Sequence, residues 1–200
     1  MNIAIFASGA GSNADAILKA LPRLLFYSKL TANVTLIVTN NPKAGVLQVA
    51  ASHNVTSSII NLKDKDEAEC ADTYLAVLKQ HDIGLIVLAG FLKKIPAAVI
   101  AKYPQKIINI HPALLPKYGG AGMHGIHVHK AVIAGADPYT GITIHYVDEQ
   151  YDSGKIIFKA QLDVQPNDTA ETLAQKVLQL EHIWYSAVIV KVIKEQLIES

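Results

Sequence analysis

Short apolar runs alternate with segments of helical spacing through the first half of the chain. The run at 3–7 ends at Ser8-Gly9-Ala10-Gly11-Ser12-Asn13, and an alanine- and leucine-rich stretch follows, which predicts a strand, a tight loop and a helix. The same order recurs with a β-branched run at 34–39 and a helix over 44–52, then with a strand at 57–60 and a helix over 66–80. Ala68, Ala71, Leu75 and Leu78 hold helical spacing in the last of these, and its acidic start suits the helix dipole. Runs at 85–89 and 107–110 are apolar without alternation, as strands covered on both faces are. Strands separated by helices in this way predict an α/β fold built on a mainly parallel twisted sheet.

The pattern changes after Ile110. Residues 111–122 lack periodicity and contain Pro112, Pro116 and several glycines, which predicts a long ordered loop, with a short helix over 124–134. Two β-rich runs at 141–147 and 155–161 flank an acidic connection and predict later antiparallel strands. From Thr169 onward, Leu173, Val177, Leu180, Trp184 and Val188 recur at spacings of three or four, the apolar stripe of a helix covering one sheet face. Without a repeat or a long linker, residues 1–200 read as one domain with an elaborated second half, or as two lobes of the same unit.

Composition narrows the class. Half of the 200 residues are hydrophobic, 18% are charged and the formal net charge is +1, so the chain is not of disordered type and offers no electrostatic reason to bind nucleic acid. Cys70 is the single cysteine and cannot form an intramolecular disulfide, which suits a reducing compartment. The start carries no basic leader, and the apolar run at 83–92 is about half of what a bilayer requires. The expectation is a cytoplasmic protein with no membrane partner, as a monomer or a homodimer.

The Gly9-x-Gly11-Ser12-Asn13 loop falls between a strand and a helix, where backbone N–H groups converge on an anion such as phosphate. It departs from the dinucleotide fingerprint at Ala14, and the same letters also suit a tight structural turn. Alternation puts Asn109 and His111 on one face at the carboxyl end of the fifth strand, where open α/β sheets bind ligands. A histidine shifts protons near neutrality and an asparagine amide donates to developing negative charge, while the bland reading is a proline-braced turn. Asp148, Glu149 and Asp152 are turn formers or partners for His111, according to the fold. Lys93-Lys94 suits a substrate carboxylate or a solvated loop. His124, His127 and His129 lack a zinc spacing, no serine nucleophile elbow occurs, and no metal is expected.

Ser8-Gly9-Ala10-Gly11-Ser12-Asn13, Leu88-Ala89-Gly90-Phe91 and Asn109-Ile110-His111-Pro112-Ala113-Leu114-Leu115-Pro116-Lys117-Tyr118 together resemble the phosphoribosylglycinamide formyltransferases. The resemblance continues through Gly141-Ile142-Thr143-Ile144-His145-Tyr146 and Asp152-Ser153-Gly154, in order along nearly the whole chain. It implies a Rossmann-like formyltransferase fold without NAD. It also implies transfer of a formyl group from 10-formyltetrahydrofolate, a consumed co-substrate, to the primary amine of glycinamide ribonucleotide in purine biosynthesis.

By the same resemblance, Asn109, His111 and Asp152 are catalytic, and Gly11, Ser12, Asn13 and Glu181 bind the ribonucleotide. Phe91, Leu92 and Lys93, with Val147, Asp148, Glu149, Gln150, Tyr151 and Asp152, form the folate cleft. Asn109 donates to the oxyanion, and Asp152 raises the charged population of His111. Departures from the family pattern fall at Lys94, at Leu178 with Lys176 as a substitute contact, at Ser186, and in the glycine-rich segment 119–122. Other readings are a different formyl-folate enzyme, such as a methionyl-tRNA formyltransferase, which usually adds a C-terminal domain, a formate-releasing hydrolase, and a non-catalytic folate or nucleotide binder.

Overall fold

Alternate residues of the first strand enter two different cores. Ile3, Ile5 and Ala7 pack on one side of the sheet, whereas Ala4 and Phe6 pack on the other. Helices therefore cover both faces of this strand, and the computed structural model, which describes residues 1–61 and 66–198, pairs it with a strand on each edge.

The elements run β1 (Asn2–Phe6), α1 (Ser12–Ser28), β2 (Asn33–Thr39), α2 (Val46–Ser52), β3 (Thr56–Ile59), α3 (Glu67–Gln80), β4 (Ile83–Leu88), α4 (Ala97–Lys102) and β5 (Ile107–His111). They continue with α5 (Ile126–Ala134), β6 (Tyr139–Tyr146), β7 (Ile156–Asp163) and α6 (Ala170–Ile198). The strands form one seven-stranded sheet in the order β3-β2-β1-β4-β5-β6-β7. The first five pair in parallel, while β6 and β7 pair antiparallel, as the later β-rich runs predicted. The chain winds outward in one direction from β1 and in the other from β4. The loops after these neighbouring strands therefore diverge and open a crevice at their carboxyl ends.

One core joins α1, α2 and α6 to the sheet through Ile17, Leu21, Val46, Val188 and Ile189, and the opposite core joins α3 and α4 through Tyr74, Leu78 and Val99. A capping box starts α3, where Asp66 accepts from the Glu69 N–H at 2.8 Å and Glu69 accepts from the Asp66 N–H at 3.2 Å. Among the described residues, no helix is long and apolar enough to cross a membrane.

Two details differ from the sequence expectation. Six-residue α4 has no counterpart in the sequence pattern, because a single short helix displays too little periodicity to register. The apolar stripe of α6 holds at Leu173, Val177 and Val188, but Glu181 and Tyr185 share the inward face, whereas Trp184 is exposed and lies over Phe158 of β7 with ring centroids 4.8 Å apart. The Tyr185 hydroxyl donates to the Leu88 carbonyl at 2.8 Å, so the polar tip of this buried ring is satisfied beneath β4.

Candidate active site

Residues following β1, β4 and β5 border a cavity of about 620 Å³, which α5, α6 and the β6–β7 connection complete. At the end of β5, alternation carries Asn109 and His111 to one face, and antiparallel pairing sets Asn109 opposite His145 and His111 opposite Thr143. Thr143 donates to the Ala113 carbonyl at 2.7 Å and accepts from the Leu115 N–H at 3.0 Å, which pins the loop leaving His111. Asp152 arrives from the β6–β7 connection with φ at 57°, and a side chain at Gly154 would collide with the Tyr146 carbonyl.

The four polar side chains interlock. Asp152 Oδ2 lies 3.5 Å from His111 Nδ1 and accepts from the Gly120 N–H at 2.9 Å, while its Oδ1 lies 3.5 Å from His145 Nε2. His145 Nδ1 is 2.8 Å from the Tyr146 carbonyl, an acceptor only, so that nitrogen carries the hydrogen. In the neutral ring, Nε2 is then the acceptor for Asn109 Nδ2 at 3.1 Å, which orients the amide and leaves its second N–H unspent.

His111 follows the same logic. Its Nε2 donates to the Tyr118 carbonyl at 2.8 Å, so a neutral ring turns the Nδ1 lone pair toward Asp152. Burial pushes the His111 pKa down and outweighs the upward pull of the Asp152 charge and the Tyr118 hydrogen bond. The expected contribution of Asp152 has the right sign, but the net shift is toward the neutral ring because desolvation of an imidazolium costs more than this one carboxylate returns. For Asp152, burial acts upward, yet His145 when its Nε2 carries a proton, the His111 charge and the Gly120 N–H together hold it below the ordinary carboxylate value.

A second polar group borders the same cavity. Gly11 caps α1 with φ at 84°, and a side chain there would press on Val46. Two residues on, Asn13 Nδ2 donates to Glu181 Oε2 at 2.7 Å, while Asn13 Oδ1 is buried without a protein partner. Burial pushes Glu181 up to about 7 against the smaller downward effect of this amide. Asn13 and Glu181 border the cavity, whereas Gly11 and Ser12 do not; Ser12 is exposed at the first turn of α1.

Phe91, Leu92 and Lys93 line the cavity, together with Val147, Asp148, Glu149, Gln150, Tyr151 and Asp152. Lys94 and Leu178 also line it, but Lys176 is engaged by Asp168 at 2.7 and 2.8 Å and does not. The glycine-rich segment contributes Gly120, Ala121 and Gly122 to the wall, and Ser186 is buried within α6.

From the sequence, His145 reads as inward or near the active loop without a chemical role, and His129 only as a metal ligand that its spacing does not support. The Thr143-x-His145 alternation was visible, but its register against β5 was needed to bring His145 to Asn109. His129 borders the cavity from α5 with its Nδ1 buried and unpartnered, and burial with the neighbouring His111 charge lowers its pKa. Its neighbours His124 and His127 contact each other edge to face at 5.7 Å. Among the described residues, no group of three histidine, cysteine or acidic side chains is placed to hold a metal ion.

A formyl transferase family model matches residues 1–189. The chain is 37% identical to the phosphoribosylglycinamide formyltransferase of Bacillus subtilis over 187 residues, covering 93% of this chain and 91% of that protein. It is 38% identical over 197 residues to the chloroplastic phosphoribosylglycinamide formyltransferase of Vigna unguiculata, covering 98% of this chain but only 62% of that relative's length. The crystal structure of phosphoribosylglycinamide formyltransferase from Bacillus halodurans matches with a TM-score of 0.85 and 32% identity, covering 97% of this chain and 94% of that one. With the family model spanning nearly all of it and a relative matched almost end to end, the chain belongs to the formyl transferase family, among the phosphoribosylglycinamide formyltransferases.

Proposed function

We propose that residues 1–200 act as one catalytic domain that transfers a formyl group from 10-formyltetrahydrofolate to the primary amine of glycinamide ribonucleotide, releasing tetrahydrofolate. The observation that carries this reading is the convergence of Asn109, His111, His145 and Asp152 on the cavity bordered by Asn13 and Glu181. Asn13 and Glu181 hold the ribonucleotide, with Gly11 and Ser12 presenting the amino end of α1 to its phosphate. The segment from Phe91 to Lys93 and the loop bearing Asp148 and Tyr151 hold the folate.

The amine nitrogen attacks the formyl carbon, forming a C–N bond and an oxyanion. The unspent N–H of Asn109, oriented by His145, donates to that oxygen. The attacking nitrogen sheds a proton to His111 Nδ1, which is available because burial keeps the resting ring toward neutral. Asp152 then faces an imidazolium, so a lone-pair contact becomes an ion pair as charge develops. Collapse breaks the bond from carbon to the folate nitrogen, and His111 returns the proton there. Holding both substrates in one cavity supplies a further part of the acceleration.

The lone cysteine fits a cytosolic setting for this chemistry. Purified protein incubated with both substrates and followed by mass tests the reading. Formylated ribonucleotide and tetrahydrofolate in equal amounts are expected. Formate without formylated ribonucleotide would identify a hydrolase, and neither product from folded protein would overturn the assignment.

A further inference from the structure

Ser8 stands where β1 ends, between β2 on one side and β4 on the other, at the point where the chain winds in opposite directions. It is 8% exposed, and its polar groups are divided between the two neighbours. Toward β4, its N–H donates to the Gly90 carbonyl at 3.1 Å and its hydroxyl oxygen accepts from the Leu92 N–H at 3.0 Å. Toward β2, its carbonyl accepts from Asn41 Nδ2 at 3.5 Å and its hydroxyl donates to Asn40 Oδ1 at 2.5 Å. A hydroxyl has one hydrogen, and Asn40 takes it, so the face turned to Leu92 is a lone pair. The Ser8 peptide also opens directly into the loop that leads to Asn13.

We infer that Ser8 is a positioning residue that locks the segment from Gly90 to Lys93 against the loop leading to Asn13, and so sets the spacing between the two substrates in the cavity. This rests on the proposed two-substrate reading. The backbone pairing between these diverging loops ends at the bond from the Ser8 N–H to the Gly90 carbonyl, and the Ser8 side chain carries the tie two residues further, to Leu92. Asn40 acts one step further back by fixing the hydroxyl rotor.

Two readouts on Ser8→Ala, Ser8→Thr, Asn40→Ala and Asn40→Asp test the inference. In Ser8→Ala, hydrogen exchange at the Leu92 amide is expected to rise about tenfold, the loss of one hydrogen bond, while exchange within β1 stays as it was. The KM for 10-formyltetrahydrofolate is expected to rise by a similar factor, with the KM for the ribonucleotide changed less than about twofold. Ser8→Thr keeps the hydroxyl and should restore both. Asn40→Ala should reproduce a smaller part of each effect, and Asn40→Asp, which retains the acceptor, should not. Unaltered Leu92 exchange in Ser8→Ala overturns the inference, as does an equal rise of both KM values with a general loss of protection. If the unmodified protein transfers no formyl group, the functional reading fails on its own, and Leu92 exchange still decides whether Ser8 locks the segment.

Discussion

The surroundings of Asp152 and of Glu181 place a half-buried and a buried carboxylate on one cavity and drive them in opposite directions. Burial acts upward on both. Asp152 meets two imidazoles and a backbone N–H, and these hold it below its ordinary value. Glu181 meets the neutral amide of Asn13, which offsets less than burial imposes and leaves it near 7. A group that can become positively charged answers an anion in a way that a single neutral donor does not. The difference divides the labour: one carboxylate remains an anion beneath a proton-accepting ring, and the other is poised to exchange a proton near neutrality.

Removing the charge of Asp152 tests the first half most severely. Asp152→Asn is expected to lower kcat on the order of a thousandfold with smaller changes in substrate binding. The upward pull on His111 disappears as well, so its titration, followed by the imidazole proton resonances, should move to still lower pH. A His111 titration that stays in place would break the proposed coupling.

Glu181→Gln tests the other half through stability. The folded value near 7 lies above the ordinary value of 4.5, so the favourable contribution is complete below about 4.5 and is lost as pH rises through 7. The loss amounts to roughly 3 kcal/mol over that window. Denaturant unfolding between pH 5 and 8 should show a decline in the unmodified protein that the glutamine variant lacks. Parallel curves would place the proton elsewhere.

Asn13→Ala should sharpen the contrast by pushing Glu181 higher still, since its amide is a lowering contribution. Loss of that donor is also expected to raise the ribonucleotide KM about tenfold while leaving the folate KM nearly unchanged. Equal losses for both substrates would reassign Asn13 to holding the loop. Tyr185→Phe is the mildest change: the ring remains, donation to the Leu88 carbonyl is lost, and stability should fall by about 1 kcal/mol. The pH slope due to Glu181 should survive it, which stability curves of the variant would show.

Much of this arrangement is legible in residue order. The strand, glycine loop and helix at the start needed no tertiary information, and neither did the common face of Asn109 and His111, because both follow from chain periodicity. The inward place of Glu181 was less accessible: apolar spacing favoured a stripe through Leu180 and Trp184, and a buried acid is invisible to hydrophobic periodicity. His145 is farther still from local inference, since its approach to Asn109 exists only once β6 is registered against β5.

By itself, the sequence determined the alternation of strands and helices, the mainly parallel sheet and the loops in which polar residues gather, because backbone sterics and side-chain period act over a few residues. Its motifs also indicated the family. The tertiary structure alone decided that Asp152 reaches two histidines, that His111 is held toward neutral and that Glu181 is held near 7. Those outcomes depend on distance and on exclusion from water, and residues far apart in the chain acquire both only when the sheet edge, the helices and the loops close around one cavity.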